Sequence, residues 1–273
     1  MWAQLPFYTD DPAVTPRGTL HFEFFDEFDR LQRSEFPDLR QNTVNFKLNY
    51  GLPYGLEVNV DAPYLSIFRA VGASDAAGQG DTNLGIKWRF RNPSTPLHSP
   101  VMAASLYIEF PTGNQRQQLS SGETDCWLNL IAQERFTDKT RVNLNLGFLF
   151  AGNTSTGVVG IQTTRGHVYT GGISLLHDFT SRLTLGGETI GGIADESGLA
   201  RSQLQLMAGG QYGVRKNLSL TFGLLGGKYR ASPRIGGQVG FALDFPSFVR
   251  RRGSRPSSGQ LAPPFGYSAL CLN

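Results

Sequence analysis

The sequence predicts an all-β fold, an antiparallel up-and-down transmembrane β-barrel of about twelve strands. Three observations predict it. Ile235–Phe245, IGGQVGFALDF, sets Ile235, Val239, Phe241, Leu243 and Phe245 on one face and Gln238, Ala242 and Asp244 on the other. That period of two marks a strand with a different solvent on each face. Runs of the same kind recur along the chain. The connections between them alternate in length, as short turns on one side of a membrane and long loops on the other require.

The runs follow in order. Leu20, Phe22, Phe24 and Phe28 alternate with His21, Glu23 and Glu27. Val44, Phe46, Leu48 and Tyr50 alternate with Asn45, Lys47 and Asn49, and Leu56, Val58 and Val60 with Glu57, Asn59 and Asp61. Leu84, Ile86, Trp88 and Phe90 alternate with Lys87 and Arg89. Ala104–Phe110, Leu128–Ala132 and Val142–Phe150 continue the series, then Tyr169–Leu175 and a weaker Leu183–Leu185. Leu204–Tyr212 and Leu218–Leu224 precede the last run. Short connections are read at Leu52–Tyr54, Phe136–Thr140, Asp178–Arg182 and Gly213–Asn217, with Arg91–Ser99 longer. Long ones are read at Arg30–Gln41, Leu65–Gln79, Pro111–Thr124 and Ala151–Arg165. On the apolar face, Tyr50, Trp88, Phe90, Phe179, Tyr212 and Phe245 fall near the turn ends. Phe28, Tyr64, Phe110, Phe148, Phe150 and Tyr169 fall near the loop ends. Two aromatic girdles result.

Composition agrees. The chain has 273 residues, 40% of them hydrophobic, and a net charge of +3. Mean hydropathy is −0.23, which suits a barrel because only alternate residues face lipid. No apolar run reaches the length of a membrane helix, and nothing forms a nucleic-acid footprint. Met1–Ala3 reads as a signal-peptide remnant. Residues 1–18 read as an N-terminal periplasmic segment in which Leu5–Gly18, with its three prolines, is a possible plug. The barrel spans 19–246. The basic, Ser- and Pro-rich stretch 247–273 reads as a disordered tail.

Chemistry is sparse. The four histidines are scattered, and His167 and His177, ten residues apart in one strand, lie about 30 Å from each other, too far to share a metal. No nucleophile elbow, HExxH or CxxC occurs. Gly78–Gly85 lacks the Lys-Ser/Thr ending of a phosphate loop. No catalytic residue, metal or cofactor is expected. Cys126 belongs on the lipid face near the loop end and Cys271 in the tail, so no disulfide is expected.

The candidate site is the lumen face: Glu23, Lys47, Glu57, Asp61, Lys87, Arg89, Glu109, Glu188, Gly209, Gly223, Gly236 and Gly240. Mixed charges suggest cross-strand pairs. The glycines of the last strands suggest a smooth channel wall or, in competition, room for Leu5–Gly18.

Ile235–Phe245 resembles the closing strand of bacterial outer-membrane barrels. Thr9-Asp10-Asp11-Pro12, the stretch Gly80–Phe90 (GDTNLGIKWRF) and Phe110-Pro111-Thr112-Gly113 together resemble the outer-membrane family named for a putative MetA pathway of phenol degradation. The likeness runs over residues 5–245. It implies a barrel in the outer membrane of a Gram-negative cell and transport of aromatic or other hydrophobic compounds. The reading is then a porin-like monomer, not an enzyme, with both termini periplasmic, mediating passive passage of a small solute. Its expected partners are outer-membrane lipid, that small-molecule solute and the barrel-assembly machinery, with no nucleic acid. The alternatives are a surface-interaction barrel with a closed lumen whose loops are the working part, and an outer-membrane hydrolase.

Overall fold

The structure is a computed structural model that describes residues 6–95, 97–151, 166–194 and 203–245. Thirteen strands form among them. They are β1 (Leu20–Arg30), β2 (Asp38–Gly51), β3 (Leu56–Arg69), β4 (Ala76–Gln79), β5 (Thr82–Arg91), β6 (Val101–Phe110) and β7 (Asp125–Arg135). After these come β8 (Thr140–Ala151), β9 (Gly166–Asp178), β10 (Leu183–Ala194), β11 (Gln203–Arg215), β12 (Leu218–Lys228) and β13 (Ile235–Phe245). All but the short β4 pair antiparallel around a closed ring. β1 bonds to both β2 and β13, so twelve strands close a barrel.

The burial pattern is that of a protein turned inside out. Lys87 is wholly buried and Glu23 is 2% exposed, while Leu146 and Leu224 are 57% and 73% exposed. An apolar exterior over a charged interior is stable only where the outer solvent is itself apolar. The register agrees: Glu57 and Asn59 are buried, and Val58 and Val60 on the same strand are exposed. Trp88, Phe90, Phe179, Tyr212 and Phe245 stand exposed near the turn end, and Phe28, Tyr64, Phe110, Phe150 and Tyr169 near the loop end.

The closing seam is aromatic on its outer face. Phe24 on β1 stacks on Phe241 of β13 at 5.2 Å and meets Phe46 of β2 edge-on at 5.4 Å. Cross-strand pairs of this kind contribute roughly 0.2–1 kcal/mol each. Inside the seam the glycines have a local reason. A Cβ on Gly236 would collide with the Asp29 carboxylate, and one on Gly240 with the Phe24 carbonyl.

Several connections differ from the expectation. β3 runs on to Arg69, and β4 pairs back on Tyr64–Ile67, so much of the expected loop Leu65–Gln79 is strand. Pro63 offers no N–H there, yet its carbonyl accepts from Gly80 N at 2.9 Å. β1 and β2 likewise extend into the expected loop Arg30–Gln41, leaving a single 3-10 turn at Arg33–Glu35. At the turn end, Tyr54 (φ 63°) and Gly55 (φ 74°) take the left-handed conformation. A Cβ on Gly55 would lie 2.8 Å from the Arg89 carbonyl. The signal remnant, the expected loop Ala151–Arg165 (beyond Ala151), the tail and Cys271 lie outside the described residues.

Candidate functional site

The N-terminal segment enters the barrel. Gly18 N donates to Gly51 O at 2.8 Å, which fixes the entry at the turn end. From there the chain climbs the lumen along one wall. Thr15 N donates to Glu57 Oε2 on β3 at 2.6 Å. Lys87 Nζ on β5 donates to Asp10 Oδ1 at 3.0 Å and to Asp11 O at 3.1 Å. Asn145 on β8, its amide oriented to suit its neighbours, accepts from Asp10 N at 2.7 Å and donates to Asp10 O at 2.9 Å.

The segment then crosses the bore. Tyr8 N and Thr9 N donate to the two oxygens of Glu188 on β10, at 2.9 and 2.8 Å. The Tyr8 hydroxyl donates to Glu27 on β1. Phe7 packs with Leu176, Met207 and Leu225 of β9, β11 and β12. Pro6 comes down against Gly209 and Gly223. The irregular backbone finds its partners on the lumen side chains, as buried backbone must.

Above this floor lies a cavity of about 350 Å³. Pro6–Asp10 form its base, and Leu119, Ser120 and Ala231, from the connections β6–β7 and β12–β13, reach it from the loop end. Its apolar wall holds Phe25, Pro63, Leu65, Trp127, Leu149, Val168 and Ile190, with Gly171, Gly172, Gly191 and Gly192 beside them. Its polar wall holds Asn45, Lys47, Asp61, Asp81, Asn83, Tyr107 and Glu109. A cavity of this size that is largely apolar, with a few converging polar groups, is the common form of a small-molecule site.

The loops that reach inward are fastened. Leu119 packs with Leu65, Ile67 and Ala76. The Asp81 carboxylate accepts from Gly113 N at 3.1 Å and Ser121 N at 3.3 Å. Arg69 donates to Asp38 at 2.7 Å, Gln118 Oε1 at 2.8 Å and Gln117 O at 3.3 Å. Between the neighbouring connections β12–β13 and β1–β2, Arg230 Nε lies 2.6 Å from Glu35 Oε1. Burial pushes the Glu35 carboxyl above its usual range, and Arg230 opposes that shift.

The expected lumen residues divide into groups. Glu23, Lys47, Asp61 and Glu109 line the cavity. Glu57, Lys87 and Glu188 hold the N-terminal segment. Gly209 lies against the Phe222 carbonyl and Gly223 against the end of Met207, and Pro6 sits beside both. Gly236 and Gly240 let β13 lie close to β1. Arg89 sits at an irregularity of the β5–β6 register near the turn end, away from the cavity. The residues not singled out beforehand are Tyr8 in the N-terminal segment and Phe25, Tyr107 and Trp127, aromatics at interior positions of otherwise polar strand faces. Among the described residues no group of three or more His, Cys, Asp or Glu could hold a metal. Cys126 is free and lies opposite Ile108 and Phe150 near the loop end.

Comparisons place this geometry. The family model described as "Putative MetA-pathway of phenol degradation" matches residues 9–245. Among solved structures, an outer membrane channel from Pseudomonas putida F1 is 14% identical, with 86% of this chain and 98% of that one covered and a TM-score of 0.66. The NanC porin is 8% identical over 82% and 98%, with a TM-score of 0.56. The KdgM porin is 12% identical over 82% and 99%, with a TM-score of 0.55. These likenesses show the fold of an outer-membrane barrel. No curated protein matches the sequence.

Proposed function

The chain belongs to the family described as "Putative MetA-pathway of phenol degradation", and from that premise we propose that it passes a small single-ring aromatic or otherwise hydrophobic solute across the outer membrane without chemical change. The observation that carries this reading is the cavity of about 350 Å³, part apolar and part polar, between the loop end and the N-terminal segment. The segment is bonded mainly through side chains of the wall, so it can leave without breaking the barrel's own ladder. Passage then consists of entry from the loop end, residence over Tyr8, and release past a displaced segment. In this reading the loop end faces outward and both termini are periplasmic, which the shared turn-end position of Leu20 and Phe245 supports. The barrel-assembly machinery inserts the chain as a monomer.

The test is uptake of phenyl glucoside, which crosses a bare bilayer slowly, into liposomes holding the purified protein. Uptake faster than in empty liposomes is expected. Equal rates, with a folded protein, defeat the reading. They would favour the alternative of a closed surface barrel, which the segment spanning the bore supports.

A further inference from the structure

Resting on the solute-passage reading, we propose that the cavity selects by charge: it takes single-ring cations that carry N–H donors and turns away single-ring carboxylates. The charged groups on its wall are Asp10, Glu23, Glu27, Asp61, Asp81 and Glu109 against Lys47. Three of the carboxylates are engaged by neighbours. Asp10 holds Lys87 at 3.0 Å, Glu23 holds His21 at 2.9 Å, and Glu27 accepts from Tyr8 and Gln238. Lys47 stands in register between Glu23 and Asp61. Among the described residues, Asp81 accepts from the backbone amides of Gly113 and Ser121, which do not neutralise it. Glu109 stands between Asn83 and a further acid, Asp125. Asp61, Asp81 and Glu109 therefore give this wall more carboxyl groups than Lys47 alone can balance, and a cation brought among them favours their charged forms.

A second observation points the same way and does not depend on charge. Asn45 and Gln238 are 7% and 2% exposed and line the cavity. Among the described residues, Asn45 Oδ1, Gln238 Oε1 and Asp61 Oδ1 have no hydrogen-bond partner, and on the same lining Thr9 Oγ1 and the Trp127 indole N–H have none either. The first three are acceptors without donors against one lone donor, Trp127, and buried acceptors left so are costly. Leu65, Leu119, Trp127 and Leu149 supply an apolar wall for a ring. A ligand matching both walls carries a ring at one end and a positively charged donor group at the other. A planar N–H fork meets carboxylates better than a point charge does. A carboxylate in the same place would face acids and leave the acceptors unmet.

The experiment uses benzamidinium, benzamide and benzoate, which share a ring and differ in charge. Calorimetric titration of the full chain, folded in detergent at neutral pH, should rank benzamidinium above benzamide above benzoate. The first and last should differ by about tenfold or more, as a single charge contact at reduced dielectric allows. The D61N/E109Q double variant should bring benzamidinium down to the level of benzamide. The single variants D61N and E109Q, each with a smaller loss, serve if the double does not fold. Benzoate binding as tightly as benzamidinium, or no binding by any of the three, overturns the proposal. Phenyl glucoside uptake together with equal affinities overturns selectivity and leaves passage standing. Cation-selective binding without uptake does the reverse.

Discussion

Lys87 Nζ, on a side chain with no exposed surface, lies 3.0 Å from Asp10 Oδ1. The pair joins a barrel strand to the segment that fills the bore. A buried pair of this kind contributes little beyond a well-packed apolar substitute, but losing one partner costs about 3–5 kcal/mol because the other charge is left alone.

K87M should therefore loosen the N-terminal segment while leaving the strand ladder whole. Limited proteolysis of the detergent-folded protein should cut within residues 6–17, and phenyl glucoside uptake should rise. D10N/K87M, which leaves no lone charge, should be cut more slowly than K87M. Equal protection of wild type and K87M would show that this pair does not hold the segment.

The two glycines beneath Pro6 should respond differently to alanine. At Gly223 the first atom met is the flexible end of Met207, whereas at Gly209 it is the carbonyl of Phe222. G209A should cost about 1–3 kcal/mol, the usual range of overpacking, and G223A less. Heat-modified mobility in detergent measures both, and a reversed order would contradict these contacts of Met207 and Phe222.

Arg69 fastens the β6–β7 connection over the cavity. R69A removes its hydrogen bonds to Asp38, Gln117 and Gln118, a loss on the order of 1–3 kcal/mol for charged hydrogen bonds. Deuterium exchange at 113–121 should quicken, and benzamidinium should bind with a faster on-rate. Unchanged exchange would place the fastening in the packing of Leu119 instead.

The register gives a sharp contrast on β8. Leu146 is 57% exposed toward lipid and Asn145 is 7% exposed in the lumen. L146K should cost about 2–4 kcal/mol when folding into vesicles is followed by urea titration, as a charge near mid-bilayer does. Insertion at wild-type stability would contradict the inside-out assignment.

The barrel was legible because alternation is a local signal. Each strand declares its two faces without reference to its neighbours, and Val58 beside Asn59 is enough to show it. The extension of β3 was less legible, since Pro63 lacks the N–H of a ladder residue although its carbonyl still accepts from Gly80. The cavity was harder to see. Reading Glu23 and Glu27 as one face passed over Phe25 between them, and Leu128 and Leu130 drew attention from Trp127. An aromatic at an interior position of an otherwise polar face was the available sign. The use of the glycines was not legible at all. Gly209 meets the Phe222 carbonyl of the next strand and also Pro6, some two hundred residues away in the chain, and no pattern within a strand records what will lie against it.

The pairing of β1 with β13 has a consequence for how the molecule is made. The segment that fills the bore is tethered just ahead of β1, while its partners Lys87, Asn145 and Glu188 are spread over β5, β8 and β10. A ring that had already shut would have to be threaded. If Pro6–Asp11 instead lies in the curving sheet and gathers each partner as it arrives, the ring shuts around a finished interior. On that account the join between Leu20 and Phe245 is the final act of biogenesis, and the occupant of the lumen also serves as the former on which the wall is wound.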